Sequence, residues 1–195
     1  MHINDGWLDI AQPIPSPNCD DRPDAEVSLI VVHGISLPAG HFGTRHVVDL
    51  FCNQLELSAH ADFCDLEGVN VSAHLMIRRD GLVLQFVPFH RRAWHAGVSS
   101  YGGRSGCNDF SIGIELEGTD DTPYRPAQYQ QLATICQLLI HDYGIDARCI
   151  VGHCDIAPGR KTDPGEAFNW PVFRSLVMVG ITAGIKAGST REQGI

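Results

Sequence analysis

The chain has no excess of basic charge: its 195 residues hold 14 Lys and Arg against 23 Asp and Glu, a formal net charge of −9. Nucleic acid and anionic membrane surfaces both reward a basic face, so neither is expected as the main partner. No run of 18 apolar residues occurs, so no transmembrane helix is expected either. The opening MHINDGWLDIAQPIPSPNCDD is acidic and Pro-rich, without the basic and apolar regions of a signal peptide. The seven Cys are odd in number and form no CxxC pair. That excludes a disulfide framework and a Cys-type structural zinc site, and fits reduced thiols in a cytosolic protein. HExxH, internal repeats and linker-like stretches are also missing.

What is present reads as one globular α/β domain with a central mixed sheet flanked by helices. Hydrophobic residues make up 44% and charged residues 19%, enough apolar surface for one core at this length. Residues 1–28 read as an irregular lead-in broken by Pro13, Pro15, Pro17 and Pro23. The main domain spans 29–179, and the tail 180–195 is expected to fray. SLIVVH, ending at His33, reads as a buried strand, and His46–Leu55 as a short helix. Asp80-Gly81 between two β-rich runs predicts a hairpin. Arg91 to Cys107 reads as a long Gly/Ser-rich loop over the site. FSIGIELEG predicts a strand with Ile112, Ile114 and Leu116 on one face and Gly113, Glu115 and Glu117 on the other. A helix is expected from Pro126 to Tyr143 with Gly144 as its cap, then a strand at Cys149–Val151 and a last helix from Pro171 to Val179.

The chemistry concentrates in GHCDIAPGRKTDPG, Gly152 to Gly165, a Gly/Pro-punctuated loop that follows a strand. His33 closes one strand, His153 follows another, and Asp163 lies ten residues on. Two His and one carboxylate form a donor set for catalytic zinc, with the fourth position left to water. Ten His in the chain make accidental candidates plentiful, and a hydrogen-bonded His is the commoner case. Lys161 and Asp163 point the same way in an extended segment, so the ammonium can stabilise a nearby oxyanion. Glu115 and Glu117 are rival proton acceptors on one strand face, and patterning alone does not choose between them. Cys154 follows His153 directly and points away from it, which argues against a Cys nucleophile.

VVHGISLP, VSAHLMIRRDG, RAWHAGVSSY, NDFSIGIELEG and GHCDIAPGRKTDPG, in that order, resemble the zinc-dependent N-acetylmuramoyl-L-alanine amidases over about residues 5–178. The similarity is to the cytoplasmic AmpD-type branch, which acts on anhydro-muropeptides in cell-wall recycling. The resemblance implies Zn²⁺ held by His33, His153 and Asp163, with Lys161 stabilising the tetrahedral intermediate. It implies Glu115, the first Glu of IELEG, as the general base, and a cytoplasmic enzyme acting on a small muropeptide with no protein partner. Phage amidases and peptidoglycan-recognition proteins place a Tyr where this chain has Ala73. Relatives often carry Asn at the position of Gly34 and Arg near those of Asn70 and Gly106. Trp94 and His95 are expected to line the substrate groove, since an amphipathic aromatic suits a saccharide face. The alternative is a non-catalytic peptidoglycan-fragment binding module, which would have lost a metal ligand. A third reading is a structural protein whose His cluster only stabilises the fold.

Overall fold

A computed structural model describes residues 1–189 and builds one mixed sheet from six strands. They are β1 (Gln12–Pro13), β2 (Leu29–Ile35), β3 (Leu75–Ile77), β4 (Val83–Gln85), β5 (Ser111–Glu117) and β6 (Ile150–Gly152). Their order across the sheet is β6-β2-β5-β3-β4-β1. All neighbours run parallel except β3 and β4, the expected hairpin. The helices are α1 (His46–Phe51), α2 (Pro126–Tyr143), α3 (His153–Ile156) and α4 (Trp170–Ser189).

β2 and β5 are buried on both faces, as parallel strands under helices must be. Ile30, Val32, Ile112, Ile114 and Leu116 face the same core as Leu132, Ile135 and Leu139 of α2 and Phe173 and Val177 of α4. Leu29, Val31 and Val151 face the other way, against Ala96, Cys107, Phe110 and Ile156. α2 begins with Pro126 at its first turn, and Gly144 ends it in the left-handed conformation at φ 68. Pro there lacks only an N–H that the helix would leave unpaired, and Gly meets no Cβ penalty at positive φ.

Several boundaries differ from the sequence expectation. The last helix does not stop at Val179 but continues to Ser189. Gly180 reads as a breaker in sequence, yet it sits inside α4, where a Cβ would lie 2.0 Å from Gln137 Nε2. The glycine lets α4 come close to α2, and Gln137 Nε2 donates to the Leu176 and Val177 carbonyls at 2.9 and 3.2 Å. Residues 190–195 of the expected tail lie outside the described residues. The lead-in contains short strands, Ile3–Asn4 with Trp7–Leu8 and Cys19–Asp21 with Arg91–Ala93, and its β1 joins the sheet. Pairings of two or three residues are too short to leave an alternating pattern. The long loop from Arg91 holds a small hairpin, Ser100–Tyr101 with Arg104–Ser105, and a helical turn, Cys107–Asp109. Between Gly152 and Gly165, one helical turn, α3, opens what reads as a pure loop. α1 is shorter than expected and ends at Phe51.

Arg22 ties the lead-in to this frame without a carboxylate. Its guanidinium donates to the carbonyls of Phe89, Asn108, Asp109 and Ser111 at 2.8–3.3 Å. Beside it, His74 is fully buried. The Gly113 N–H donates to His74 Nδ1 at 3.1 Å, so the proton of the neutral ring sits on Nε2, 3.0 Å from the Arg91 carbonyl. Burial, with the Arg22 charge adding, holds the His74 pKa down at about 3.

Two outcomes are expected. Leu132→Ala, at a fully buried position of α2, lowers unfolding free energy by about 2–5 kcal/mol in denaturant titration. An unfolded His74 binds a proton below pH about 6.5 that the folded one refuses until about 3, so stability falls as pH drops through that window. The His74 share is up to about 1.4 kcal/mol per pH unit. Urea titrations of metal-free protein should show a correspondingly shallower slope in His74→Asn, and an unchanged slope would refute the assignment.

Candidate active site

The parallel register sets Glu115 directly opposite His33 on neighbouring strands, so both side chains leave the same face of the sheet. On the other side of β2, Gly152 of β6 pairs with Val32, and the chain then turns into α3 with His153 beside His33. The Cys154 N–H donates to the Asp163 carbonyl at 3.0 Å, folding the loop back so that Asp163 returns to His153. His33 Nδ1, His153 Nδ1 and Asp163 Oδ2 form a triangle with edges of 3.0, 3.2 and 3.1 Å. Zinc with bonds of about 2.0–2.1 Å at tetrahedral angles needs edges of roughly 3.3 Å. The donor set and the spacing therefore fit zinc, and this is the one such cluster among the described residues.

The environment keeps this set in ligand form. Burial is the main cause that holds His33 down at about 4, so its ring is neutral near pH 7. For Asp163, burial pushes the carboxyl up, but the His153 and His33 rings, 3.1 and 3.2 Å from its Oδ2, outweigh it and hold the group well below the usual carboxylate range.

The two glutamates of β5 are separated by their partners. Glu117 is buried with both carboxylate oxygens taken, by the N–H of Gly43 at 2.6 Å and of Arg79 at 3.1 Å. Glu115 Oε1 lies 4.0 Å from His33 Nδ1, and its Oε2 is buried without a hydrogen-bond partner. Burial pushes the Glu115 carboxyl well above its ordinary value, Asp163 adds to that, and Lys161 opposes it. Glu115 is thus the carboxylate with an unpartnered oxygen, and Glu117 is held by two backbone N–H groups.

Glu115, Lys161 and the His33–His153–Asp163 triad line one cavity of about 320 Å³, together with aliphatic residues that include Leu37, Leu66 and Val71. Ala73 is buried in that lining and supplies no hydroxyl. Gly34 has a physical reason: a Cβ there would lie 2.3 Å from the Tyr124 hydroxyl, which donates to the Pro164 carbonyl at 3.0 Å. Gly106 has φ 73, a left-handed conformation that favours glycine, and Asn70 is exposed. Of the two expected groove residues, the structure brings in only His95. Trp94 is not among the lining residues; its indole N–H donates to Asp20 Oδ1 at 3.1 Å, because successive residues of an extended segment point to opposite sides. His95 lines the cavity from behind His33, with Nδ1 2.9 Å from His33 Nε2. Tyr124 and Asn108 carry supporting roles that sequence reading did not single out, since a buried hydroxyl or amide leaves no spacing signal.

A hydrolytic site at the carboxyl ends of a parallel sheet, with a zinc-type triad and one free carboxylate, defines the class. The chain belongs to the N-acetylmuramoyl-L-alanine amidase family, whose pattern matches residues 23–166. Within that family it is of the AmpD type. It is 57% identical over 173 residues to 1,6-anhydro-N-acetylmuramyl-L-alanine amidase AmpD of Salmonella typhimurium (strain SL1344), covering 88% of this chain and 92% of the relative. The crystal structure of a Se-Met AmpD derivative superposes with a TM-score of 0.89 at 55% identity, over 91% of this chain and 99% of that one. The amidase AmiD from E. coli, in complex with the substrate anhydro-N-acetylmuramic acid-L-Ala-D-gamma-Glu-L-Lys, has a TM-score of 0.56 at 29% identity, over 77% of this chain and 57% of that one. Hydrolysis of a muramoyl–L-alanine amide is the reaction of this chain.

Gly34→Ala is expected to push the Tyr124 ring off the Pro164 carbonyl and destabilise the protein by about 1–3 kcal/mol. In a Tyr124→Phe background the same substitution should cost clearly less, since the clashing oxygen is gone. Additive losses in thermal melts of the double-mutant cycle would contradict the contact.

Proposed function

We propose that this chain is a cytoplasmic zinc amidase that cleaves the amide between the lactyl group of 1,6-anhydro-N-acetylmuramic acid and L-alanine during cell-wall recycling. The observation that carries the reading is the His33–His153–Asp163 triangle with the unpartnered Glu115 oxygen beside it. The anhydro-muropeptide substrate is supported by the AmpD relative and by the ligand of the AmiD complex. A reducing compartment is supported by seven Cys that are all free thiols. No helix among the described residues is long and apolar enough to cross a membrane.

His33, His153 and Asp163 would hold the metal. When bound, zinc lowers the pKa of water to roughly 7 and polarises a carbonyl. Glu115 takes a proton from the attacking water as its oxygen adds to the amide carbon. The Lys161 ammonium, which lines the same cavity, would stabilise the negative charge that develops on the carbonyl oxygen. Glu115 then returns the proton to the departing nitrogen as the C–N bond breaks. The products are the lactyl carboxylate and the free amine of the stem peptide. A carboxylate whose charged form has no hydrogen bond is a stronger base than a paired one, and this is the property that separates Glu115 from Glu117.

Mass spectrometry of anhydro-muramyl-tripeptide incubated with the protein tests the reading. Free tripeptide should appear, vanish with a chelator and return with added zinc. Intact substrate in a zinc-loaded sample would favour a fragment-binding module instead. Glu115→Gln should retain zinc and lose about 10²–10⁴ in kcat. Asp163→Ala should lose both zinc and turnover.

A further inference from the structure

Both ligand histidines present Nδ1 to the metal triangle, so something must hold the opposite nitrogen of each ring in its protonated form. The two opposite nitrogens meet consecutive residues. His33 Nε2 lies 2.9 Å from His95 Nδ1, and His153 Nε2 lies 3.3 Å from the Ala96 carbonyl.

The direction of each bond follows from the end of the chain. The Cys107 carbonyl only accepts, so the Ser111 hydroxyl donates to it, at 2.5 Å. Ser111 Oγ has then spent its proton, and at 3.1 Å it accepts from His95 Nε2–H. A neutral His95 protonated at Nε2 is bare at Nδ1, and there it accepts from His33 Nε2–H. His33 Nδ1 is left with a lone pair aimed at the triangle. On the other branch, His153 Nε2 lies 3.3 Å from the Ala96 carbonyl, which only accepts, and 3.4 Å from Arg160 Nη2; a proton on Nε2 satisfies the carbonyl and frees His153 Nδ1 in the same way. The Arg160 guanidinium also donates to that carbonyl, at 2.7 Å.

The His95–Ala96 dipeptide is itself fastened. Asn108 Oδ1 accepts the N–H of His95 at 3.1 Å and of Ala96 at 2.8 Å. The His95 ring lies over Gly113 of β5, where a Cβ would be 2.4 Å from the ring. Asn108 is in turn held through its carbonyl by Arg22 at 3.1 Å.

We propose that His95, Ser111 and Asn108 are positioning residues that lock both metal-ligating histidines in the Nε2–H tautomer, one dipeptide serving both rings. His95 thereby acts on His33 and has no free nitrogen for the substrate. The proposal rests on the zinc reading above. Partners of this kind typically carry 10–100-fold in metal affinity or activity.

The test is a zinc titration against a competing chromophoric chelator, on wild type, His95→Leu, His95→Asn and Ser111→Ala, each checked for fold by circular dichroism and melting temperature. His95→Leu should bind zinc about 10–100-fold more weakly. His95→Asn, whose amide oxygen can stand in for Nδ1 as acceptor, should recover most of that loss. Ser111→Ala should fall between wild type and His95→Leu. In the wild type, long-range ¹⁵N–¹H spectra should show His95 protonated at Nε2 alone. A folded His95→Leu that binds like wild type, or Asn and Leu variants that lose affinity equally, would overturn the proposal while leaving the zinc site standing. A His95 protonated at Nδ1 would overturn it even if His95→Leu does not fold. A wild type that takes up no zinc would overturn the zinc reading and this proposal with it.

Discussion

Parallel pairing of β2 with β5 on one side and β6 on the other puts three carboxyl strand ends side by side, and every functional group of the site hangs from that arrangement. His33 and Glu115 are register partners, and His153 follows the residue paired with Val32. Side chains alternate along a strand, so a slip of one residue in β5 would turn Glu115 into the helix-side core and expose Ile114 or Leu116 to the cavity. The buried aliphatic residues on the opposite face forbid that slip. The same packing that stabilises the sheet therefore fixes how Glu115 sits against His33.

The loop after β6 completes the site by returning to its own start. The Cys154 N–H bond to the Asp163 carbonyl closes it, and Tyr124 fixes Pro164 from below through Gly34. A glycine directly after the first ligand histidine is thus a packing solution tied to Tyr124, not a loose position. Burial then divides the titratable groups by function. His33 stays neutral, Asp163 stays charged beside the two histidine rings, and Glu115 holds its proton more tightly than an ordinary carboxylate.

Behind the histidines, the segment that reads as a long loop over the site is a scaffold. Arg22, Asn108, His95 and Ser111 bind it to the lead-in and to β5 through hydrogen bonds. This explains why an irregular, Pro-rich start to the chain belongs to the functional unit. Its guanidinium satisfies carbonyls on the very loop that supports the histidines.

Much was determined by the sequence alone. The hairpin at Asp80-Gly81, α2 with its Gly144 cap, the strand carrying Glu115 and the His33–His153–Asp163 set were all legible, because each leaves a local or motif-level signature. Composition likewise pointed to a globular chain with reduced thiols. The choice between Glu115 and Glu117 rested on resemblance until their partners were visible, since alternation places both on one face. Trp94 and His95 are neighbours that sequence reading treated alike, yet one donates to Asp20 and the other backs His33. Gly180 looked like a helix end and is a helix–helix contact. These points share a cause: they depend on what lies across space from a side chain, and neither periodicity nor spacing along the chain records that. Only tertiary packing decides which polar groups are already satisfied and which are left free to do chemistry.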